Sequence, residues 1–268
     1  MTDHPADAPM SASGAVAEGS SVDAPFIIWT FRRTGGTSLK TILFWLSTRE
    51  SWQDEAFNRD RELGEITKKY EETRDLGQLS HDINEVVLQK KNLKHCVETV
   101  PYEVTSQLLR QAHANGYRHI VLLRRNEEHR QISLALALIT KAWGPAQAEQ
   151  TYSMIIRGER RLEPINLGWM QKQIDRDAIA LGRLIRLFAS KDIPYKMVFF
   201  EDLYTGTFAA RVEHLKAIIS WLGLARAQDV TDEAYRDVLM ARSQNTSSIL
   251  HFVPNLEEIR DLIRRQTE

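Results

Sequence analysis

Residues 26–38 read FIIWTFRRTGGTS and pass from a continuous apolar run through a glycine-containing loop into a helical pattern. The first six of these residues are β-branched or aromatic, which is typical of a strand that is covered on both faces. After the loop, apolar side chains recur at helical spacing, at Leu39, Ile42, Leu43 and Leu46. The sequence therefore predicts a buried strand, a glycine loop and a helix that begins between residues 36 and 38.

Three further apolar runs, at residues 93–98, 119–123 and 196–200, are typical of strands. Amphipathic stretches predict helices around residues 59–69, 80–91, 101–115, 132–139, 167–190, 208–221 and 255–265. Gly77 is predicted to separate the first two of these helices. Alternation of short strands with longer helices predicts a single α/β domain with a central parallel sheet flanked by helices and a P-loop-like topology.

Composition places the chain among ordinary folded proteins and limits its partners. Residues 1–23 lack apolar periodicity and are predicted to be a disordered tail before a domain at residues 24–268. The formal net charge of -1 argues against nucleic-acid binding through overall positive charge, and the single cysteine, Cys96, excludes an intrachain disulfide. The start of the chain does not resemble a secretory signal, and no run of about 18 apolar residues occurs. We therefore expect a cytoplasmic protein without stable membrane insertion.

The loop at residues 32–38 has the composition of an oxyanion cradle. Gly35 and Gly36 permit positive φ and close approach of backbone amides, Arg33 supplies charge, and Thr37 and Ser38 add hydroxyl groups. In an open parallel sheet such a loop lies at the carboxyl edge, where ligands collect. A tight turn without a ligand is the alternative. The loop is not a Walker A motif, because no lysine follows the second glycine, and this weakens an NTPase interpretation.

A second basic element follows the strand at residues 119–123. Arg125 lies at the predicted strand end and Ser133 lies eight residues later, about two turns into the next helix. An arginine fork and a serine hydroxyl could hold one phosphate between them. The alternative is an arginine at the sheet edge and an unrelated helical serine.

Together the two basic elements resemble those of sulfotransferases that use 3′-phosphoadenosine 5′-phosphosulfate (PAPS), in particular bacterial carbohydrate-type members. The resemblance extends to a strand followed by Glu201-Asp202-Leu203 and to a Trp-Leu-Gly element at residues 221–223. It implies that the 5′-phosphosulfate is held by Arg32, Arg33, Thr34, Gly35, Gly36, Thr37 and Ser38. It also implies that Arg125 and Ser133 hold the 3′-phosphate, and that no metal is needed.

Two departures from the family pattern accompany this resemblance. The usual lysine of the first loop is Arg33, which keeps the charge. The C-terminal basic-glycine element is at best replaced by residues 242–246, in which Arg242 is a candidate 3′-phosphate contact.

The resemblance implies sulfuryl transfer to a hydroxyl or amine of a small-molecule, lipid or glycan acceptor. Arg33 would stabilise the leaving phosphate. Glu55 is the first candidate for the base and His95 the second; a solvated carboxylate and a core histidine are the respective alternatives. The other functions that the sequence leaves open are a P-loop-type nucleotide kinase or phosphotransferase and a non-catalytic nucleotide-binding protein.

Overall fold

The computed structural model describes residues 23–224 and 246–267, together with residues 226, 235, 236 and 239. Most of the predicted N-terminal tail therefore lies outside the described residues. Its last member, Asp23, belongs to the domain instead, since it is buried and its carboxylate accepts a hydrogen bond of 2.7 Å from the backbone N–H of Thr48.

Four short strands form one sheet in which all neighbouring strands are parallel. They are β1 (Phe26–Thr30), β2 (Leu93–Cys96), β3 (Arg118–Leu123) and β4 (Lys196–Phe199). Their order across the sheet is β2-β1-β3-β4. In the register, Trp29 of β1 is paired with His95 of β2 and with Val121 of β3. All four predicted strands and the parallel sheet are confirmed, with ends that differ by one or two residues.

Helices connect the strands and follow the last one. They are α1 (Gly36–Leu46), α2 (Gly64–Thr73), α3 (Leu76–Leu88), α4 (Tyr102–Ala114), α5 (Glu127–Thr140), α6 (Pro145–Ile156), α7 (Leu167–Ser190), α8 (Phe200–Tyr204), α9 (Phe208–Leu222), a 3₁₀ helix (Thr246–Phe252) and α10 (Leu256–Thr267). The predicted break at Gly77 is wrong, because Gly77 lies in the first turn of α3. The chain turns instead at Arg74, with φ 57°, and Asp75 caps α3 by accepting the N–H of Gln78.

Side chains of β1 alternate between two hydrophobic cores. Phe26 and Ile28 pack with α1 and α9 on one face of the sheet, whereas Ile27 and Trp29 pack with α3, α4 and α7 on the other. All five residues of β1 are buried, as the prediction of a strand covered on both faces requires. A third core joins α5, α6 and α7 to the 3₁₀ helix and α10.

The strand order creates a crevice at the carboxyl edge of the sheet. From β1 the chain goes to β2 on one side, and it then crosses to β3 on the other side. Such a reversal separates the loops that follow the two central strands and leaves room for a ligand between them. These loops are residues 31–35 after β1 and residues 124–126 after β3. Within the described part of the chain, no helix is both long and apolar enough to cross a membrane.

Candidate functional site

The loop between β1 and α1 has a left-handed backbone at Arg33, with φ 68°, and at Gly35, with φ 79°. A Cβ atom on Gly35 would lie 2.7 Å from Cδ2 of Phe200, so both conformation and close packing require glycine. The hydroxyl of Tyr204 donates a hydrogen bond of 3.3 Å to the carbonyl of Gly35. Among the described residues, no side chain caps the N-terminus of α1. The positive end of this helix therefore opens onto the loop, as an oxyanion cradle requires.

The hydroxyl residues of the loop have different surroundings. Thr34 is buried and its hydroxyl donates a hydrogen bond of 2.7 Å to the carbonyl of Phe31, so its side chain supports the loop from inside. Thr37 is exposed and Ser38 is half-buried in the first turn of α1. Among the predicted hydroxyl contacts, Thr37 is therefore the one most open to a ligand.

Two arginines meet at the crevice between β1 and β3. Arg33 Nε donates a hydrogen bond of 2.9 Å to Ser133 Oγ, and Arg124 Nη1 donates one of 3.1 Å to the backbone carbonyl of Arg33. Ser133 Oγ lies 3.2 Å from Thr246 Oγ1 of the 3₁₀ helix. Neither guanidinium forms an ion pair with a carboxylate of a described residue.

The positive charge of this pair is poorly compensated. Burial lowers the pKa of the Arg33 guanidinium. Burial also lowers the pKa of Arg124; the charge of Glu201 opposes this shift, and the charge of Arg33 adds to it. These two arginines form a second candidate anion site beside the loop. A bound oxyanion would offset the repulsion between the two guanidinium groups and replace the hydration that they lose on burial. We call Arg33, Arg124 and Ser133 the arginine site.

Two further side chains line the arginine site. His129 Nδ1 lies 2.8 Å from Arg124 Nη2, and burial followed by the charge of Arg124 lowers the pKa of this histidine. The Nδ1 atom of a neutral His129 accepts a hydrogen bond from the Arg124 guanidinium and fixes its direction. The hydroxyl of Tyr152 is buried without a hydrogen-bond partner in the described structure. It lies close enough to Arg33 to influence the pKa of that guanidinium. Tyr152 is thus a free donor beside the site.

The structure does not bring Arg125 and Ser133 together. The side chain of Arg125 is 50% exposed and its two terminal nitrogens bind the Asp202 carboxylate at 2.6 and 2.9 Å. Its guanidinium also lies 4.1 Å from the centroid of the Phe199 ring. Ser133 is buried and bonds to Arg33 instead. Successive residues at a strand end point in opposite directions, so Arg124 turns into the crevice and Arg125 turns away from it.

Arg32 is not free for its predicted role as a phosphosulfate contact, because it already binds a carboxylate. Its backbone N–H and its Nε both donate to Oε1 of Glu98, at 2.7 and 3.1 Å. The other oxygen, Glu98 Oε2, is buried and has no hydrogen-bond partner in the part of the chain that the structure describes. Burial raises the pKa of Glu98 although the charge of Arg32 opposes that shift. Glu98 therefore joins the loop to the carboxyl end of β2 and keeps one oxygen free.

Lys94 of β2 provides the lysine that the loop itself lacks. Its side chain is 4% exposed and its Nζ lies 3.4 Å from Thr37 Oγ1. The same nitrogen forms ion pairs with Asp54 at 2.9 Å and with Glu55 at 3.1 Å. Burial disfavours the ammonium ion, but these carboxylates raise the pKa of Lys94 overall. A protonated lysine, paired with these two carboxylates, thus faces the start of α1.

Glu55 is correspondingly a paired carboxylate. Besides Lys94, it accepts a hydrogen bond of 2.7 Å from Asn58 Nδ2. Burial alone would raise the pKa of Glu55, but the charge of Lys94 and these hydrogen bonds lower it. The alternative of a solvated charge is wrong, since Glu55 is partly buried in an ion-pair network. A lowered pKa makes Glu55 a weak proton acceptor.

His95, the second candidate base, lies in the hydrophobic core. It is 2% exposed, its Nε2 is 2.9 Å from Thr105 Oγ1, and its ring packs edge-on against Trp29 and Phe57. Burial lowers the pKa of His95 to about 4. Because successive side chains of β2 point to opposite faces of the sheet, Lys94 faces α1 and His95 faces the other side. The core histidine that the sequence left as an alternative is the arrangement observed.

Arg242, the remaining predicted contact, lies outside the described residues. In the part that is described, no group of three or more His, Cys, Asp and Glu side chains is arranged to hold a metal ion. Comparison with protein-family models, with curated protein sequences and with solved structures gave no match. The site must therefore be interpreted from its own geometry.

Proposed function

We propose that the chain is a sulfotransferase that binds PAPS and transfers its sulfuryl group to a hydroxyl or amine. The observation that carries this proposal is the pair Arg33 and Arg124 beside the glycine loop, neither of which forms an ion pair with a described carboxylate. One anion at the loop and a second at the arginine site would match a nucleotide with phosphates at both its 5′ and 3′ positions. A nucleotide with a single phosphate chain would leave one of these two sites without an anion.

The two ends of the nucleotide would be held by different groups. Backbone amides at the start of α1, Thr37 and Lys94 are suited to the 5′-phosphosulfate. Arg33, Arg124 and Ser133 are suited to the 3′-phosphate. This assignment moves the side chain of Arg33 from the leaving phosphate, where the resemblance put it, to the 3′ end. Lys94 then stabilises the charge that develops on the leaving oxygen.

The acceptor must lose a proton as its oxygen or nitrogen bonds to sulfur. Glu98 suits this step better than Glu55, because it has an unpartnered oxygen and a raised pKa. Glu55 is already neutralised by Lys94. We therefore assign Glu98 as the proton acceptor and Glu55 as the residue that positions Lys94.

Isothermal titration calorimetry with adenosine 3′,5′-bisphosphate tests the proposal. We expect saturable binding, which Arg124→Ala weakens about 10- to 100-fold, since a hydrogen bond to a charged group contributes about 1.5–3 kcal/mol. Adenosine 5′-monophosphate, which lacks the 3′-phosphate, should be affected far less. Arg125→Ala is the matched control and should bind the bisphosphate as the unaltered chain does. Absence of saturable binding would contradict the proposal.

A phosphotransferase is the second candidate, and Lys94 is the observation that favours it. A lysine 3.4 Å from Thr37 gives the loop a charge like that of a Walker lysine, although it comes from a different strand. ATP with Mg²⁺ in the same calorimeter separates the two functions. Tighter binding of ATP than of the bisphosphate would support phosphoryl transfer. Tight bisphosphate binding with no transfer from PAPS to any acceptor would support a non-catalytic nucleotide-binding protein.

A further inference from the structure

A cleft of about 610 Å³ opens at the carboxyl end of β2. Its walls are the segment from Val97 to the first turn of α4 and the exposed face of α7. Glu98 belongs to its lining and is also the residue that binds Arg32 of the glycine loop. The cleft therefore adjoins the proposed nucleotide site through one shared carboxylate.

Three cations of α7 line the cleft, and their charges are not neutralised. Lys172, Arg176 and Arg183 are exposed and lie on one helical face, and none forms an ion pair with a described carboxylate. Eleven residues separate the first from the last, which corresponds to about 16 Å along a helix. The cleft thus presents an elongated row of positive charge.

Of the acidic residues of the same cleft, Glu71 is neutralised by an arginine, whereas Asp175 is bound by a neutral side chain and keeps its charge. Glu71 binds Arg59 at 3.1 Å, and Asp175 accepts a hydrogen bond of 2.9 Å from Gln171. In addition, α4 begins after Pro101 without a side-chain cap, so the positive end of this helix faces the cleft. The balance of available charge favours an anionic ligand group.

Apolar surface lies beside the cations. The side chain of Ile179 is 53% exposed within the cleft, next to Val100 and Pro101. The Tyr102 ring forms one wall and lies 5.1 Å from the guanidinium carbon of Arg183. An exposed isoleucine between two arginines is unfavourable in water and becomes favourable when an apolar ligand covers it.

We propose that this cleft binds the acceptor and that the acceptor is an elongated organic anion with an apolar body and a hydroxyl group. The proposal rests on the proposed function, since Glu98 links the cleft to the sulfuryl donor. The anionic group would bind the cations of α7, and the body would cover Ile179 and Tyr102. The hydroxyl would lie beside Glu98, whose free oxygen Oε2 is buried and must become accessible when the acceptor binds.

The transfer step balances with the groups present. The hydroxyl oxygen forms a bond to sulfur while the bond from sulfur to the 5′-phosphate oxygen breaks. The hydroxyl proton passes to Glu98 Oε2, and adenosine 3′,5′-bisphosphate leaves. No oxidant, reductant or metal takes part in this exchange.

Three phenols of similar size test the charge preference: 3-(4-hydroxyphenyl)propionate, which is anionic, 4-propylphenol, which is neutral, and tyramine, which is cationic. Binding is measured by calorimetry on the full chain, with and without adenosine 3′,5′-bisphosphate. We expect the anion to bind at least about tenfold more tightly than the cation. Equal affinities, or no binding of any of the three, would overturn the proposal.

Charge reversals on α7 locate the binding. We expect Arg176→Glu with Arg183→Glu to abolish or invert the preference for the anion. Arg186→Glu, which lies on the same helix outside the cleft lining, is the matched control and should leave the preference intact. Equal loss in the control would contradict the assignment. Thermal melting of each variant checks that the chain still folds.

The same experiment separates this inference from the proposed function. If the bisphosphate binds but the anionic phenol does not, the nucleotide site stands and the cleft assignment fails. If the anionic phenol binds and the bisphosphate does not, the cleft is a ligand site of a protein that is not a sulfotransferase.

Discussion

Arg124 and Arg125 are adjacent in the chain but occupy opposite electrostatic environments. Arg124 turns into the crevice beside Arg33 and has no carboxylate hydrogen-bond partner among the described residues. Arg125 turns outward and is bound at both terminal nitrogens by Asp202. The difference shows that, of two adjacent arginines at this strand end, the one without an ion-pair partner is the better candidate for contact with an anion.

The largest effect is expected when both crevice arginines are removed. Arg33→Ala with Arg124→Ala should weaken binding of adenosine 3′,5′-bisphosphate by about 10²- to 10⁴-fold, since each charged contact contributes about 1.5–3 kcal/mol. Calorimetry measures this loss. Arg125→Ala with Asp202→Ala removes the outer pair and should leave the affinity unchanged. Similar losses of affinity in both double variants would show that Arg124 and Arg125 do not differ in their contribution to binding.

A third arginine shows the opposite extreme, a buried and fully paired guanidinium. Arg130 binds Asp177, which is 5% exposed and also accepts hydrogen bonds from Gln131 and Gln173. Asp177→Ala should lower the free energy of unfolding by about 1–3 kcal/mol, because Arg130 keeps only Glu127 as a partner and the buried Gln131 and Gln173 lose their acceptor. Urea unfolding measures the change. Asp175→Ala, an exposed carboxylate on the same helix, is the control and should have little effect.

The raised pKa of Glu98 predicts a pH dependence of transfer. A carboxyl group with a raised pKa stays protonated to higher pH, so a base of this kind loses activity as pH falls through that raised value. We expect the acidic limb of kcat to lie above the ordinary range of a glutamate. Glu98→Gln should reduce kcat by about 10²- to 10⁴-fold.

Two controls accompany the pH profile. Bisphosphate affinity of the Glu98→Gln variant reports whether the loop, which Glu98 also supports through Arg32, remains intact. Glu55→Gln should lower kcat without moving the acidic limb, because Glu55 acts through Lys94. Loss of the acidic limb of the pH profile in Glu55→Gln would show instead that Glu55 is the base.

The smallest effect is expected at the outer pair. Asp202→Asn frees the half-exposed Arg125, and surface ion pairs contribute little to stability. We expect no measurable change in Tm and no change in bisphosphate affinity. An increase in affinity would show that Arg125, once unpaired, reaches the nucleotide, and would thereby restore its predicted role.

The main elements of the fold could be predicted because they depend on local patterns. The buried run of β1, the loop glycines and the 24-residue helix α7 all follow from periodicity and turn chemistry. The predicted break at Gly77 is wrong because an exposed glycine is tolerated in the first turn of a helix. The chain turns instead at Arg74, which adopts a left-handed conformation.

The site was harder to predict because it depends on which side chains face each other across the sheet. The eight-residue spacing to Ser133 favoured Arg125, and only the direction of the strand end distinguishes it from Arg124. Lys94 and Tyr152 were missed as contacts because they come from β2 and α6, far from the glycine loop in the chain. The adjacent residues Lys94 and His95 carried a signal: strand alternation allows only one of two neighbours to face the loop.

The glycine loop is completed late along the chain. The hydroxyl that holds the Gly35 carbonyl belongs to Tyr204, 169 residues further on, and the serine that receives Arg33 lies 100 residues away. Loop closures of that length are slow to form, so the strand and helix around the cradle can assemble before its final shape exists. During refolding, helical signal should therefore return before nucleotide binding does. A nascent chain would gain its proposed nucleotide site only after residue 204 of 268 had been synthesised.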